Sequence, residues 1–304
     1  MNENVKITLG YLLICLLWGS TWLAIRIGLD YMTPIFSSAA RFIVASFIIY
    51  CIMKFKGVKL QTDRNSIYMY IILSLFSFAV PFGLVYWAEQ FVSSGLASII
   101  FASLPFFVIV FTYFSFKQES IVPAQVAGVV LGFLGIVVIF SENLHLSLST
   151  NMLGLLALLI SAMIQAGIAV IVKKWGKHLN PLSMNFLPLI SAGIIMLVVS
   201  FATEDLSRIH LTSKAVLSVL YLASFGTVAS FTTYYWLMKR INIVILSLSS
   251  FITPIIAVIL GWMILDEKLS LQTLIGSILV LVGILFANFS GLKKYLLKKS
   301  FKND

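Results

Sequence analysis

Residues 86–105 read YWAEQFVSSGLASIIFASLP, and residues 235–254 read YWLMKRINIVILSLSSFITP. Sliding one onto the other by 149 positions superimposes Tyr86 and Trp87 on Tyr235 and Trp236, Ser98 on Ser247, and Pro105 on Pro254. With one residue dropped, ESIVPAQVAGVVLGFLG (119–135) overlays EKLSLQTLIGSILVLVG (267–283), matching Glu119 to Glu267, Gly128 to Gly276, Leu131 to Leu279 and Gly135 to Gly283. A self-similar period of this length fixes architecture before any local reading. The chain is a duplicated unit: an apolar helix carrying a proline, a short charged turn, and an apolar helix bearing glycines.

Composition decides the medium in which that unit folds. Apolar residues make up 60% of the 304 and charged residues 11%, with a mean hydropathy of +1.04; soluble domains hold roughly 45–50% and 25%. A bilayer core takes about 20 apolar residues per helix. The runs 7–28, 34–53, 67–88, 94–116, 121–141, 151–172, 181–202, 214–237, 243–265 and 270–290 supply ten such segments. They are continuous and do not alternate with period two, so they read as helices, because only helices and closed barrels satisfy the backbone in lipid. The fold class expected is all-α integral membrane, with ten transmembrane helices. The start, Met1 to Ile27, has a basic residue and an apolar run like a secretory leader but no small-x-small cleavage site, so it reads as the first span.

The net charge of +10 would suggest nucleic acid in a soluble chain. Here sixteen of the 21 Lys and Arg fall in alternate connections and at the termini, among them Lys54, Lys56, Lys173, Lys174, Lys239 and Arg240. This pattern orients the protein with both termini in the cytoplasm, and nucleic acid is not an expected partner. Five spans per copy is an odd number, so the second copy enters the bilayer upside down. Two inverted five-helix repeats, 1–145 and 146–292, followed by a basic tail at 293–304, are therefore expected, an arrangement many secondary transporters use.

Several residues carry a family resemblance. Leu17-Trp18-Gly19-Ser20 in the first span, Pro34 with Ala40-Arg41-Phe42 in the second, Ser94-Gly95-Leu96-Ala97 with Pro105 in the fourth, and Leu265-Asp266-Glu267-Lys268-Leu269 before the tenth resemble the EamA branch of the drug/metabolite transporter superfamily. Lys117-Gln118-Glu119 is a less typical form of the acidic turn. The resemblance implies a bacterial inner-membrane exporter or facilitator, typically for amino acids or related small metabolites, with a cavity between the two halves lined by spans 1, 3, 4, 6, 8 and 9. It adds Ser20 to the residues expected to touch substrate.

Polar groups inside a span tend to face a cavity or another helix. Ser98 and Pro105 share one face of span 4, and Ser247, Ser250 and Pro254 one face of span 9. Each proline deprives the carbonyl four residues earlier of its donor, so helix breaks at Pro105 and Pro254 should leave the carbonyls of Phe101 and Ser250 for a substrate ammonium. The same serines could instead bond to their own backbone. Trp18, Trp22 and Arg26 succeed one another at intervals of four, two indoles leading to a cation. Tyr86 and Tyr235 are further cavity candidates, while Trp87 and Trp236 read as an interfacial belt. Gln165, well inside span 6, needs either a cavity or a partner helix. Arg26, Asp30, Arg41 and Glu89 are expected near one face, as an ionic gate or as snorkelling arginines.

Gly128, Gly132, Gly135, Gly276 and Gly283 allow close helix approach, within the chain or in a homodimer through spans 5 and 10. None of the eleven acids lies mid-span and the three histidines sit in connections. A mid-membrane carboxylate exchanging protons for a cationic drug has no carrier here, and the sequence suits a neutral or zwitterionic solute. No G-x-x-x-x-G-K-[ST] loop is present, Cys15 and Cys51 lack metal-ligand spacing, and no cofactor is implied. The partners expected are a small-molecule substrate and the lipid bilayer. A broader exporter of toxic organic compounds is the alternative within transport. A membrane-embedded transferase is the alternative outside it, and lacks the acid or histidine pairs such chemistry uses.

Overall fold

The computed structural model describes residues 3–115, 122–143, 150–176, 178–238, 240–241, 246 and 249–300, and among them there are helices and connections but no strand. In chain order the helices are α1 (Glu3–Leu29), α2 (Pro34–Lys56), α3 (Arg64–Ala88), α4 (Ser94–Ser115), α5 (Pro123–Asn143), α6 (Thr150–Trp175), α7 (Pro181–Thr203), α8 (213–238), α9 (Ser249–Leu265) and α10 (Leu271–Ser300). Eight of them, α1 to α8, are long and apolar enough to cross a membrane, while Ser249–Leu265 and the apolar part of α10, Leu271–Ala287, are shorter.

Local chemistry sets the helix ends. Pro34 and Pro181 open α2 and α7 at positions where the missing N–H costs nothing. Asp63, Ser93, Asn180 and Thr212 turn a side-chain oxygen onto the first free amides of α3, α4, α7 and α8. Gly57 closes α2 in the left-handed region at φ 62°.

Two helices depart from regular winding. α3 widens into a π-helical turn at Ser74–Ala79 and α8 into another at Ser224–Ala229, each of which loosens the backbone ladder and frees carbonyls. α4 is interrupted at Ala102 and Ser103, between Ser94–Phe101 and Leu104–Ser115, immediately before Pro105. α9 runs unbroken through Pro254. The two prolines that align in sequence are thus accommodated differently.

The main packing pairs are α5 with α10, α2 with α7, α1 with α9 and α8, and α6 with α4 and α3. Exchanging each helix of the first copy with its counterpart in the second leaves this set unchanged. α5 and α10 meet at their glycines: a Cβ built on Gly283 would lie 2.6 Å from the Gly128 carbonyl oxygen and the Gly132 nitrogen, and one on Gly276 2.7 Å from the Gly135 oxygen. These glycines serve a contact within the chain. The outward faces of the pair expose Val130, Leu134, Val137 and Ile278.

Candidate functional site

Among the described residues the buried cation is Arg41. It lies on α2, is 3% exposed, and reaches across to α8, where its Nε donates to Thr227 Oγ1 at 3.0 Å and its Nη2 to the Gly226 carbonyl at 3.4 Å. Gly226 and Thr227 belong to the π turn, and the Thr227 hydroxyl itself donates to the Leu222 carbonyl. The widened turn and the guanidinium therefore complete one another. Nη1 of Arg41 points at the Tyr86 hydroxyl of α3, 3.5 Å away, and the guanidinium carbon sits 5.0 Å from the centre of the Phe82 ring. Among the described residues no carboxylate lies within ion-pairing distance of Arg41. Ser37, one turn earlier on α2, is fully buried, with a hydroxyl that has no hydrogen-bond partner among the described residues.

The other π turn is served in the same way. Gln165 Nε2 of α6 donates to the Ser77 carbonyl of α3 at 2.7 Å, and Ser161 Oγ donates to the Pro81 carbonyl at 2.9 Å. Pro81 stands four residues after Ser77 and has no N–H to offer it. Gln165 supplies the missing donor from the neighbouring helix.

Aromatic side chains flank this centre. Trp18 of α1 packs on Tyr234 and Phe231 of α8, with ring centres 5.2 and 5.9 Å apart. Trp22 meets Phe101 of α4 edge-on at 5.4 Å. Ser98 spends its hydroxyl on the Gly95 carbonyl of its own turn. Ser20 donates to the Leu16 and Leu17 carbonyls and lies 2.6 Å from the Tyr221 hydroxyl of α8. Ser250 is half-buried on α9. Ser247 and the side chain of Tyr235 lie outside the described residues. At the break in α4 the buried Ser103 hydroxyl has no partner among the described residues.

The expected ionic group gathers in part at one end of the bundle. Arg26 Nη1 donates to the backbone carbonyl of Glu89 at 2.9 Å, not to its carboxylate. Glu89 is 0% exposed, and both carboxylate oxygens lack a hydrogen-bond partner among the described residues. Asp30 is exposed. With Arg26, Gln90, Ser93 and Glu267 it lines a polar cavity of about 300 Å³.

Two acids that sequence reasoning did not assign to a site work at this end as well. Glu267 accepts from the Ser94 amide at 2.8 Å, the Ser94 hydroxyl at 3.0 Å and the Gly95 amide at 3.1 Å, closing the N-terminus of α4. Glu204 accepts from Ile35 and Phe36 amides at 2.8 and 3.0 Å and from the Thr33 and Ser200 hydroxyls at 2.8 and 2.7 Å, closing that of α2. A carboxylate from the second copy thus neutralises the positive end of a helix in the first. The turn that aims Glu267 holds Asp266 at φ 53°, a left-handed conformation that Asp tolerates.

A duplicated helical bundle with buried charge between its copies is matched by a known family. The sequence fits the EamA-like transporter family twice, over residues 6–141 and 152–289. The chain belongs to this family. Among its relatives it is 28% identical to the uncharacterized transporter YoaV of Bacillus subtilis over 94% of this chain and 98% of that one. It is 30% identical to protein PagO of Salmonella typhimurium over 93% and 92%, and 29% identical to the uncharacterized inner membrane transporter YedA of Escherichia coli over 84% and 81%. A protein of known crystal structure, 18% identical, superimposes with a TM-score of 0.69 over 95% of this chain and 98% of the other, and shares the fold. The EamA chain described here is a multi-pass membrane transporter of the drug/metabolite kind, not an enzyme.

Proposed function

We propose that this transporter exports amino acids or related zwitterions across a bacterial plasma membrane by alternating access. Ten spans form two inverted halves, 1–145 and 146–292, with both termini and the basic tail 293–304 in the cytoplasm. The exchange-invariant packing of α1–α5 against α6–α10 and the paired π turns support the inverted halves. The distribution of Lys and Arg supports the orientation. The exposed apolar faces of α5 and α10 are where a homodimer would form.

The observation that carries the substrate class is Arg41, a buried guanidinium between the halves with no carboxylate partner among the described residues. A buried unpaired cation is costly, and a substrate carboxylate relieves that cost with a charge-assisted, two-pronged bond. The ammonium end then meets the Ser103 hydroxyl, the carbonyls loosened at the α4 break and the Trp22 and Phe101 rings, neutral groups that suit a cation. The remaining described candidates, Trp18, Ser20, Tyr86, Ser98, Gln165 and Ser250, line or brace the same passage in this reading, and Tyr235 and Ser247 are proposed with them from their place in the sequence alone.

The test is counterflow of a panel of radiolabelled amino acids in liposomes containing the purified protein. At least one zwitterion is expected to exchange, and its methyl ester, which lacks the carboxylate, to compete poorly. Arg41→Gln should lower exchange on the order of 10- to 100-fold, the worth of a hydrogen bond to a charged group. Normal exchange by folded Arg41→Gln protein, or equal competition by the ester, would refute the assignment.

A further inference from the structure

We propose that the Glu89 carboxyl is a proton-binding site whose protonation accompanies closure of the bundle end formed by α1, the α3–α4 connection and the α9–α10 turn. This inference rests on the alternating-access part of the reading above, but not on the identity of the substrate.

A carboxylate accepts up to about four hydrogen bonds, and Glu89, sealed at 0% exposure, receives none on either oxygen from the described residues. Among the described residues, none of the charged groups that face it from the neighbouring elements donates a hydrogen bond to it. On α1, Arg26 gives an Nη1–H to the Glu89 backbone carbonyl. On α2, Arg41 is engaged with Thr227, Gly226 and the Tyr86 hydroxyl. In the α9–α10 turn, Glu267 is a second negative charge, occupied by Ser94 and Gly95. Asp30, the remaining acid around the adjoining cavity, adds a third.

Glu89 lies one residue beyond the apolar span of α3. Burial first, and then the Glu267 carboxylate, raise its affinity for a proton well above the ordinary carboxylate range, against the opposing pull of Arg26 and Arg41. The closed end therefore holds Glu89 as the neutral acid. When that end opens, water from the polar cavity between Arg26, Asp30 and Glu267 reaches the carboxyl and its proton leaves to solvent. One proton is taken up for each closure, so acid favours the closed end and alkali the open one. The coupling is local: it asks only that the Glu89 oxygens be dry in one state and wet in the other.

The experiment follows opening of this end and uses no substrate, so it is independent of which solute the protein carries. A single thiol is placed at the cavity wall by Leu265→Cys, with Cys15→Ala and Cys51→Ala, in the full-length protein in liposomes. Its reaction with a charged maleimide is measured from pH 5 to 9 and normalised to Leu211→Cys, an exposed connection site. The normalised rate should rise with pH through a single midpoint. Glu89→Gln, which mimics the neutral acid, should hold it low at every pH, and Glu89→Asp should restore the rise. Arg26→Gln, which removes a neighbouring positive charge, should move the midpoint to higher pH. An unchanged rise in Glu89→Gln overturns the proposal. If that variant does not fold, an unmoved midpoint in Arg26→Gln overturns it instead.

Discussion

Removal of the Glu204 carboxylate should loosen the molecule more than its place beside a surface loop suggests. The group accepts four hydrogen bonds, from the Ile35 and Phe36 amides and the Thr33 and Ser200 hydroxyls. Loss of an N-terminal cap costs about 1 kcal/mol, and the interaction of a charge with the helix end adds about 0.5 kcal/mol. The two hydroxyl bonds contribute roughly another 1.5 kcal/mol together, at the low end because Glu204 is half-buried and water replaces part of what is lost. Glu204→Ala should then cost about 3 kcal/mol. For a chain of this size that corresponds to a fall of about 6 °C in the thermal midpoint. Glu204→Gln, which keeps one acceptor oxygen but turns an amide N–H toward another donor, should lose about half as much. The assay is thermal unfolding of detergent-solubilised protein followed by the monodisperse fraction, with Arg208→Ala, exposed in the same loop, as the reference. A midpoint for Glu204→Ala indistinguishable from that of Arg208→Ala would refute the clamp.

Other substitutions test other contacts. Gly283→Val should abolish the α5–α10 contact and the yield of monodisperse protein, since its Cβ would meet the Gly128 oxygen and Gly132 nitrogen at 2.6 Å; Gly167→Ala, whose nearest neighbour is the Phe111 ring at 3.8 Å, should express normally. Gln165→Leu should lower stability by about 1–2 kcal/mol by stranding the Ser77 carbonyl. Ser77→Ala should cost less, because the hydroxyl is 3.4 Å from Gln165 while the carbonyl bond survives; equal losses in the same thermal assay would contradict this. Asp63, which caps α3, is held below the usual carboxylate range by the Ser66 hydroxyl and amide. Its contribution is complete above the ordinary value near 4 and disappears as the pH falls through its lowered one. Asp63→Asn should therefore flatten the acid limb of the midpoint-versus-pH curve, and an unaltered limb argues against the cap.

The helices and the duplication were legible because both are periodic: twenty-residue apolar runs and a Tyr-Trp…Pro…Glu…Gly order survive divergence. The position of Arg41 was legible only as a problem, a cation too deep in α2. Its solution lies in Thr227 and Gly226, 185 or more residues away, in a π turn that hydropathy does not register. For α3 a signal existed: the missing N–H of Pro81 leaves the Ser77 carbonyl unserved, by the reasoning that was applied to Pro105 and Pro254. Gln165 was the donor waiting for it. Glu204 escaped notice because an acid in a connection reads as solvated; only folding brings it over the first turn of α2. Ser20 and Ser98 carry the same sequence signature as a ligand hydroxyl, yet both donate to carbonyls of their own helix.

The capping of α2 and α4 by Glu204 and Glu267 bears on how the polypeptide is made. Translation delivers the first five helices to the bilayer before either acid has left the ribosome, so two helix ends wait with bare amides until the later copy arrives. An early copy produced alone should therefore be recognised as unfinished by membrane quality control, and co-expression of the later copy as a separate polypeptide should rescue it.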